Sequence, residues 1–121
     1  MTETQGRQLL KELSARLPYG VIVKNDKLGI EGKLLTVSNY QPACGYILTD
    51  IASGNQEYTL IEDVKPYLRP LSSMTEEEKW EEQNTVMKFL QDFYNERHLD
   101  YRGFIEKGLA LEAPEGMYKT E

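Results

Sequence analysis

Among the 121 residues there is one cysteine, one histidine, one tryptophan and three phenylalanines. Cys44 alone cannot close an internal disulfide, and it fits a reducing compartment. A zinc site needs clustered His and Cys ligands, which one residue of each, far apart in sequence, does not supply. No apolar run approaches the roughly 18 residues that a membrane-spanning helix requires. The start, Met1-Thr2-Glu3-Thr4-Gln5, has no basic patch leading into a hydrophobic stretch, so no signal peptide is expected. No membrane association and a cytoplasmic location follow as expectations. Gly29-Ile30-Glu31-Gly32-Lys33 lacks the spacing and the Ser/Thr of a phosphate-binding loop. Neither a cofactor nor a metal is expected.

Catalytic candidates are correspondingly few. Cys44 as a nucleophile would need a base and an orienting group. Its plainer reading is a small residue packed at a strand start. His98, Asp100, Tyr101 and Arg102 form the densest polar cluster, which in functional terms is an anion site or an acid–base pair. In structural terms it is a helix end: Arg97 and His98 complement the dipole, Asp100 caps the next turn, and Tyr101 and Arg102 pack across it. The acidic groups Glu76-Glu77-Glu78 and Glu81-Glu82 read as a solvated helix face. The chain is therefore expected not to be an enzyme.

What the chain does have is a globular composition, 40% apolar and 28% charged, with a formal net charge of −6. The charge is uneven. Eight Lys/Arg balance eight Asp/Glu in residues 1–70, whereas residues 71–121 hold six against twelve. Nucleic acid is an unfavoured partner for so acidic a chain.

One domain is expected, residues 1–121, made of a helix plus β body (1–70) and an acidic helical tail (71–121). Leu9, Leu10, Leu13 and Leu17 make the apolar stripe of a helix over 4–17, with Arg7, Lys11, Glu12 and Arg16 largely off it, and Pro18 stops it. Strands are expected at 21–24, at 30–38 with a bulge at Gly32, at 45–51 and at 56–61, with 39–44 a loop. The prolines Pro66 and Pro70 force an extended exit. The fold class is thus α+β: an N-terminal helix, an antiparallel four- to five-stranded meander or small SH3/Sm-like barrel, a C-terminal amphipathic helix and an irregular tail. Thr75 and Glu78 form a capping box opening that helix, which is expected to run to about Arg97. Trp80, Val86, Met87, Phe89, Leu90, Phe93 and Tyr94 would make its broad apolar face, packing on the body or on a second copy, so a homo-oligomer stays open.

Tyrosine is the abundant aromatic, with eight residues. Its flat apolar body and polar tip suit ligand stacking and interfaces. Tyr19, Tyr40 and Tyr67 are expected in turns or loops. With Lys65 and Arg69 beside the last of them, and His98 and Arg102 from the polar cluster, they make the candidate ligand-binding set.

Three blocks carry a resemblance: Leu17-Pro18-Tyr19-Gly20-Val21, the run from Ile61-Glu62-Asp63-Val64-Lys65-Pro66-Tyr67-Leu68-Arg69-Pro70 to Glu78, and the run from Asp100-Tyr101-Arg102-Gly103-Phe104 to Glu115-Gly116-Met117-Tyr118. They resemble a family of short uncharacterised proteins encoded by gut anaerobes, their prophages and their phages. The resemblance covers about half of the chain, and residues 25–60 look like the variable part. It implies a mobile-element accessory gene, hence a non-enzymatic binding or regulatory protein acting on a host component, including host antiphage defence, or sequestering a small signalling ligand. The alternative is a nucleic-acid-associated small-barrel adaptor, because Gly32-Lys33-Leu34 is similar to part of the first Sm motif, although that motif's Asp and Asn are absent.

Overall fold

The computed structural model describes residues 2–25, 27, 29–41, 44–51, 56–60 and 63–118. The chain is α+β and divides into two compact units, Met1–Tyr67 and Leu68–Glu121.

The first unit begins with helix α1, Glu3–Arg16. Thr2 and Gln5 close a capping box, each side chain bonding the other's backbone N–H, so the helix starts one residue before its leucine stripe suggests. Leu9 and Leu13 are fully buried. Glu12 and Arg16, expected off the stripe, are buried too: Nε of Arg16 donates to Glu12 Oε1 at 2.9 Å, with side-chain exposures of 0% and 2% for Arg16 and Glu12. A spacing of four places both on one face, and the pair enters the core already neutralised.

Gly20, left-handed at φ 71, ends the 3-10 turn Leu17–Tyr19. Four antiparallel strands follow in meander order: β1 (Ile22–Asn25), β2 (Ile30–Gln41), β3 (Cys44–Ile51) and β4 (Gln56–Leu60). Strand β5 (Val64–Leu68) returns beside β1, with Val23 opposite Pro66, and the two-residue strand β6 (Leu111–Glu112) completes the order β4-β3-β2-β1-β5-β6. The prolines do more than extend the chain here. Pro66 is buried within β5, where a residue without an N–H is tolerated at a strand with few partners.

The small barrel does not form. A barrel closes only when its terminal strands pair, and among the described residues the terminal strands β4 and β6 bond only to their inner neighbours, β3 and β5. The loop expected at 39–44 is strand at both ends: β2 continues to Gln41, which faces Cys44 in register, so Asn39, Tyr40, Gln41 and Cys44 are strand residues, while positions 42 and 43 lie outside the described residues. The bulge lies elsewhere than Gly32, which sits in register with Val23 and Ile51. The register shifts instead between Leu34 and Thr36 and between Ser38 and Gln41. Alternating burial along β1 and β5 turns Val23, Val64 and Leu68 inward.

Near the start of the second unit Arg69 forms a parallel bridge opposite Leu99, bonded through the residues on either side of it: Arg69 N–H donates to the His98 carbonyl and Asp100 N–H to that of Arg69. A 3-10 turn (Leu71–Ser73) leads to α2, Glu76–Gln83, capped by Thr75 and Glu78 as its sequence predicts. The single long helix does not continue to Arg97. It breaks after Gln83, and α3, Leu90–Glu96, follows a 3-10 turn at Met87–Phe89. The cause is local. Thr85 Oγ1 donates to the Glu81 carbonyl at 2.6 Å while the Thr85 amide turns to Glu82, and Asn84 Nδ2 adds a bond to the Trp80 carbonyl at 2.8 Å, so side chains hold the end of α2 where the amide ladder stops. Two β-branched residues in succession, Thr85 and Val86, then favour the extended backbone seen at Val86, φ −66 and ψ 148.

The break reassigns the apolar face. Phe93 is buried, as are Leu68, Leu99, Phe104, Leu109 and Ala110, while Trp80, Val86, Met87 and Phe89 are at least half exposed. Tyr94 OH donates to Glu82 at 2.7 Å and Arg97 Nη2 to Glu81 at 3.0 Å, tying α3 back to α2. Asp100 anchors the following loop by accepting from the N–H groups of Phe104 (2.8 Å) and Ile105 (2.9 Å). The short strand β6, Leu111–Glu112, is fixed by Ala113 N–H donating to the Leu68 carbonyl.

Candidate functional site

The second unit encloses an open cleft of about 1090 Å³. Its walls come from the segment after β5 (Arg69 to Thr75), one side of α2, the end of α3, and the closing segment Glu112–Tyr118. Helix geometry explains the α2 contribution: Glu77, Glu78 and Glu81 lie within one turn on one side.

Arg69 is the keystone of one wall. Its Nε donates to Ser73 Oγ, Nη1 to Glu78 Oε2 and the Arg97 carbonyl, and Nη2 to Glu78 Oε1 and the Ser73 carbonyl. That employs all five guanidinium N–H groups. The pair with Glu78 is bidentate, at 2.9 and 2.7 Å, and mostly out of solvent, with exposures of 22% and 14%. The Arg69 bonds, helped by the backbone N–H of Thr75, hold the Glu78 carboxyl down at about 2 against an ordinary 4.5, overcoming a partial burial that acts the other way. Arg97 is likewise held, by Glu81, by Glu96 at 3.5 Å and by the Phe93 carbonyl, with its guanidinium 4.0 Å from the Phe93 ring centre.

His98 occupies an unusual backbone position. Leu99 N–H bonds the Tyr94 carbonyl and His98 N–H that of Asn95, a Schellman closure of α3 that puts His98 at the left-handed position, φ 58, where glycine is the usual occupant. A side chain in this conformation costs of order 1 kcal/mol relative to glycine. The imidazole is buried and stacks on Tyr118, ring centres 3.8 Å apart at 16°. This stack brings the closing segment to the end of α3.

Electrostatically the cleft is acidic. Two arginines line it, both engaged by carboxylates, against six glutamates, among them the exposed Glu77, Glu112 and Glu115. Such a surface attracts cations and repels phosphates.

The candidate set from the sequence divides between the units. Arg69 and His98 line the cleft, joined through the Arg69 N–H and His98 carbonyl at 2.7 Å. Arg102 is exposed, its Nε donating to Tyr101 OH, and is not part of the cleft lining. In the first unit, Tyr67 stands on β5 rather than in a loop, and its OH donates to Glu31 at 2.8 Å. Lys65, also on β5, faces Lys24 in register. Tyr19 ends a 3-10 turn and is half-buried. The backbone of Tyr40 lies in β2, and its side chain is outside those described. Sequence reasoning missed Glu77, Glu81 and Arg97 as cleft residues, and also Tyr118. Only the motif-rich closing block, with Pro114 and Gly116 bending the chain, gave a hint of Tyr118.

No protein-family model, curated protein or solved structure matches this chain.

The Glu78 carboxylate makes the second unit acid-sensitive in a definite window. A folded-state value near 2 against 4.5 means that the stabilisation is complete above about pH 4.5 and is lost as pH falls towards 2. Urea unfolding followed by Trp80 fluorescence should show stability falling across that window by up to about 3 kcal/mol more in the natural chain than in Glu78→Gln. Equal losses in both would remove Glu78 as the cause.

Proposed function

We propose that the protein is a non-enzymatic binding module whose C-terminal cleft receives a cationic group of a partner protein. The observation that carries this reading is the charge of the cleft: its arginines are committed to carboxylates, while exposed Glu77, Glu112 and Glu115 remain at its rim. A preformed, open acidic recess recognises lysine or arginine side chains by long-range attraction and short charge-assisted hydrogen bonds. Of the two partner classes that the sequence suggests, this favours a host protein over an anionic signalling ligand such as a nucleotide. An accessory role for a phage or mobile element, exerted by occupying a basic site on a host component, is the setting proposed for it. The acidic cleft and the open sheet both weigh against the nucleic-acid adaptor.

Titration calorimetry tests the reading with hexalysine, hexaglutamate and ATP as probes. Hexalysine is expected to bind, with affinity falling steeply between 20 and 150 mM salt, and the other two are not. The triple substitution Glu77→Gln, Glu112→Gln, Glu115→Gln should weaken hexalysine at least about tenfold, a change of about 1.4 kcal/mol. A control of equal net charge, Glu31→Gln, Asp92→Asn, Glu106→Gln, should not. Equal effects of the two triples, or binding of ATP, would defeat the proposal.

A further inference from the structure

The second unit carries a further surface, formed by residues of α2 and of the turn between α2 and α3 that are outside the cleft lining. Trp80, Val86, Met87 and Phe89 are 65%, 58%, 85% and 50% exposed, so four large apolar side chains within ten residues face solvent. Among the described residues these and Leu71 are the exposed large apolar side chains. Monomer surfaces scatter such residues singly; grouped this closely they mark contact sites. Tryptophan, methionine and phenylalanine are also the types enriched where partners bind.

The display is held in place. Asn84 and Thr85 tie the break to the Trp80 and Glu81 carbonyls, Phe89 N–H closes the next turn on Val86 at 2.9 Å, and Tyr94–Glu82 clamps α3 to α2. Little ordering is left to be done on binding, which favours affinity. The Lys88 ammonium lies 5.0 Å from the Phe89 ring centre, and Lys79 pairs with Glu76 at 3.3 Å. Those are the two cations of residues 76–96, against seven acidic residues.

Charge and area select the occupant. A second copy would bring the same acidic segment against itself, and an anionic membrane would repel it equally. The apolar area on display is on the order of 500 Å², below the roughly 800 Å² per partner that a stable dimer buries but enough for one face of a peptide. We infer that Trp80, Val86, Met87 and Phe89 form a docking surface for a basic amphipathic segment of a partner protein, its apolar side seated on them and its lysines or arginines facing the surrounding carboxylates. Trp80 lies one turn after Glu76, whose side chain is exposed and outside the cleft lining, so a cation spaced from an apolar anchor by one helical turn meets it. The inference stands on the apolar side chains and does not depend on the cleft reading.

Trp80 is the chain's single tryptophan, so its fluorescence reports occupancy directly. The probes are an amphipathic leucine–lysine 14-residue peptide, a scrambled peptide of the same composition, an amphipathic leucine–glutamate peptide, and phosphatidylcholine vesicles. The expected result is a blue shift with the leucine–lysine peptide alone. Met87→Ser should raise its Kd at least about tenfold with an unchanged circular dichroism spectrum and unchanged hexalysine binding, and the cleft triple variant should leave the blue shift in place. Sedimentation velocity should show a monomer up to 100 μM. Equal binding of the scrambled or glutamate peptide, a blue shift with vesicles, self-association, or no effect of Met87→Ser would each overturn the inference.

Discussion

Replacing Glu12 by glutamine should destabilise the first unit by about 3–5 kcal/mol, the largest effect expected of any isosteric change in the chain. Arg16 is fully buried and Glu12 nearly so, and the 2.9 Å bond between them lies inside the helix. The amide keeps the volume and one acceptor but removes the carboxylate charge that faces the buried Arg16 guanidinium, and taking one charge out of a buried pair is costly. Removing both charges together, Glu12→Gln with Arg16→Met, should recover most of the loss, because the desolvation cost disappears with the second charge. Urea unfolding followed by far-UV circular dichroism gives both numbers. A Glu12→Gln protein within 1 kcal/mol of the natural chain would mean that the pair is wetter than its exposures imply.

Arg69→Met is expected to cost the second unit about 2–4 kcal/mol. One guanidinium joins the segment after β5, the start of α2 and the end of α3 through five hydrogen bonds, and methionine fills its stem but makes none of them. Arg69→Lys should restore only a minor part, since an ammonium keeps the charge but cannot engage both Glu78 oxygens in a planar fork. Trp80 fluorescence in urea reads the loss in the unit concerned. Full recovery by lysine would show that charge alone, not the fork, holds the wall.

The elements whose signals are local were legible. Leucine spacing gave α1, the Thr75–Glu78 box gave the start of α2, and alternating β-formers gave the meander backbone of β1 to β4. Asp100 as a cap was readable because its job lies within five residues. Barrel closure was not readable, since it depends on which edges meet, and nothing in a strand's own residues states its far partner. The helix break was missed because an unbroken apolar stripe outweighed Asn84, Thr85 and Val86, whose side-chain bonds to carbonyls decide the matter. In the cleft, Arg69 and His98 were anticipated as ligand groups, yet Arg69 is committed to Glu78 and His98 is stacked on a tyrosine twenty residues later. Long-range pairs of this kind leave no periodicity to read.

The charge asymmetry that the composition shows becomes local chemistry: the acidic excess of residues 71–121 includes the cleft rim and the surround of Trp80. A binding role rests on that rim. The most direct test is a two-dimensional ¹H–¹⁵N spectrum of the protein titrated with hexalysine. Shifts should concentrate on the amides of Glu77, Glu81, His98, Glu112, Ala113 and Glu115 to Tyr118, with the strands of the first unit unmoved. Shifts centred on β1 to β4, or spread evenly over every acidic surface, would contradict the account.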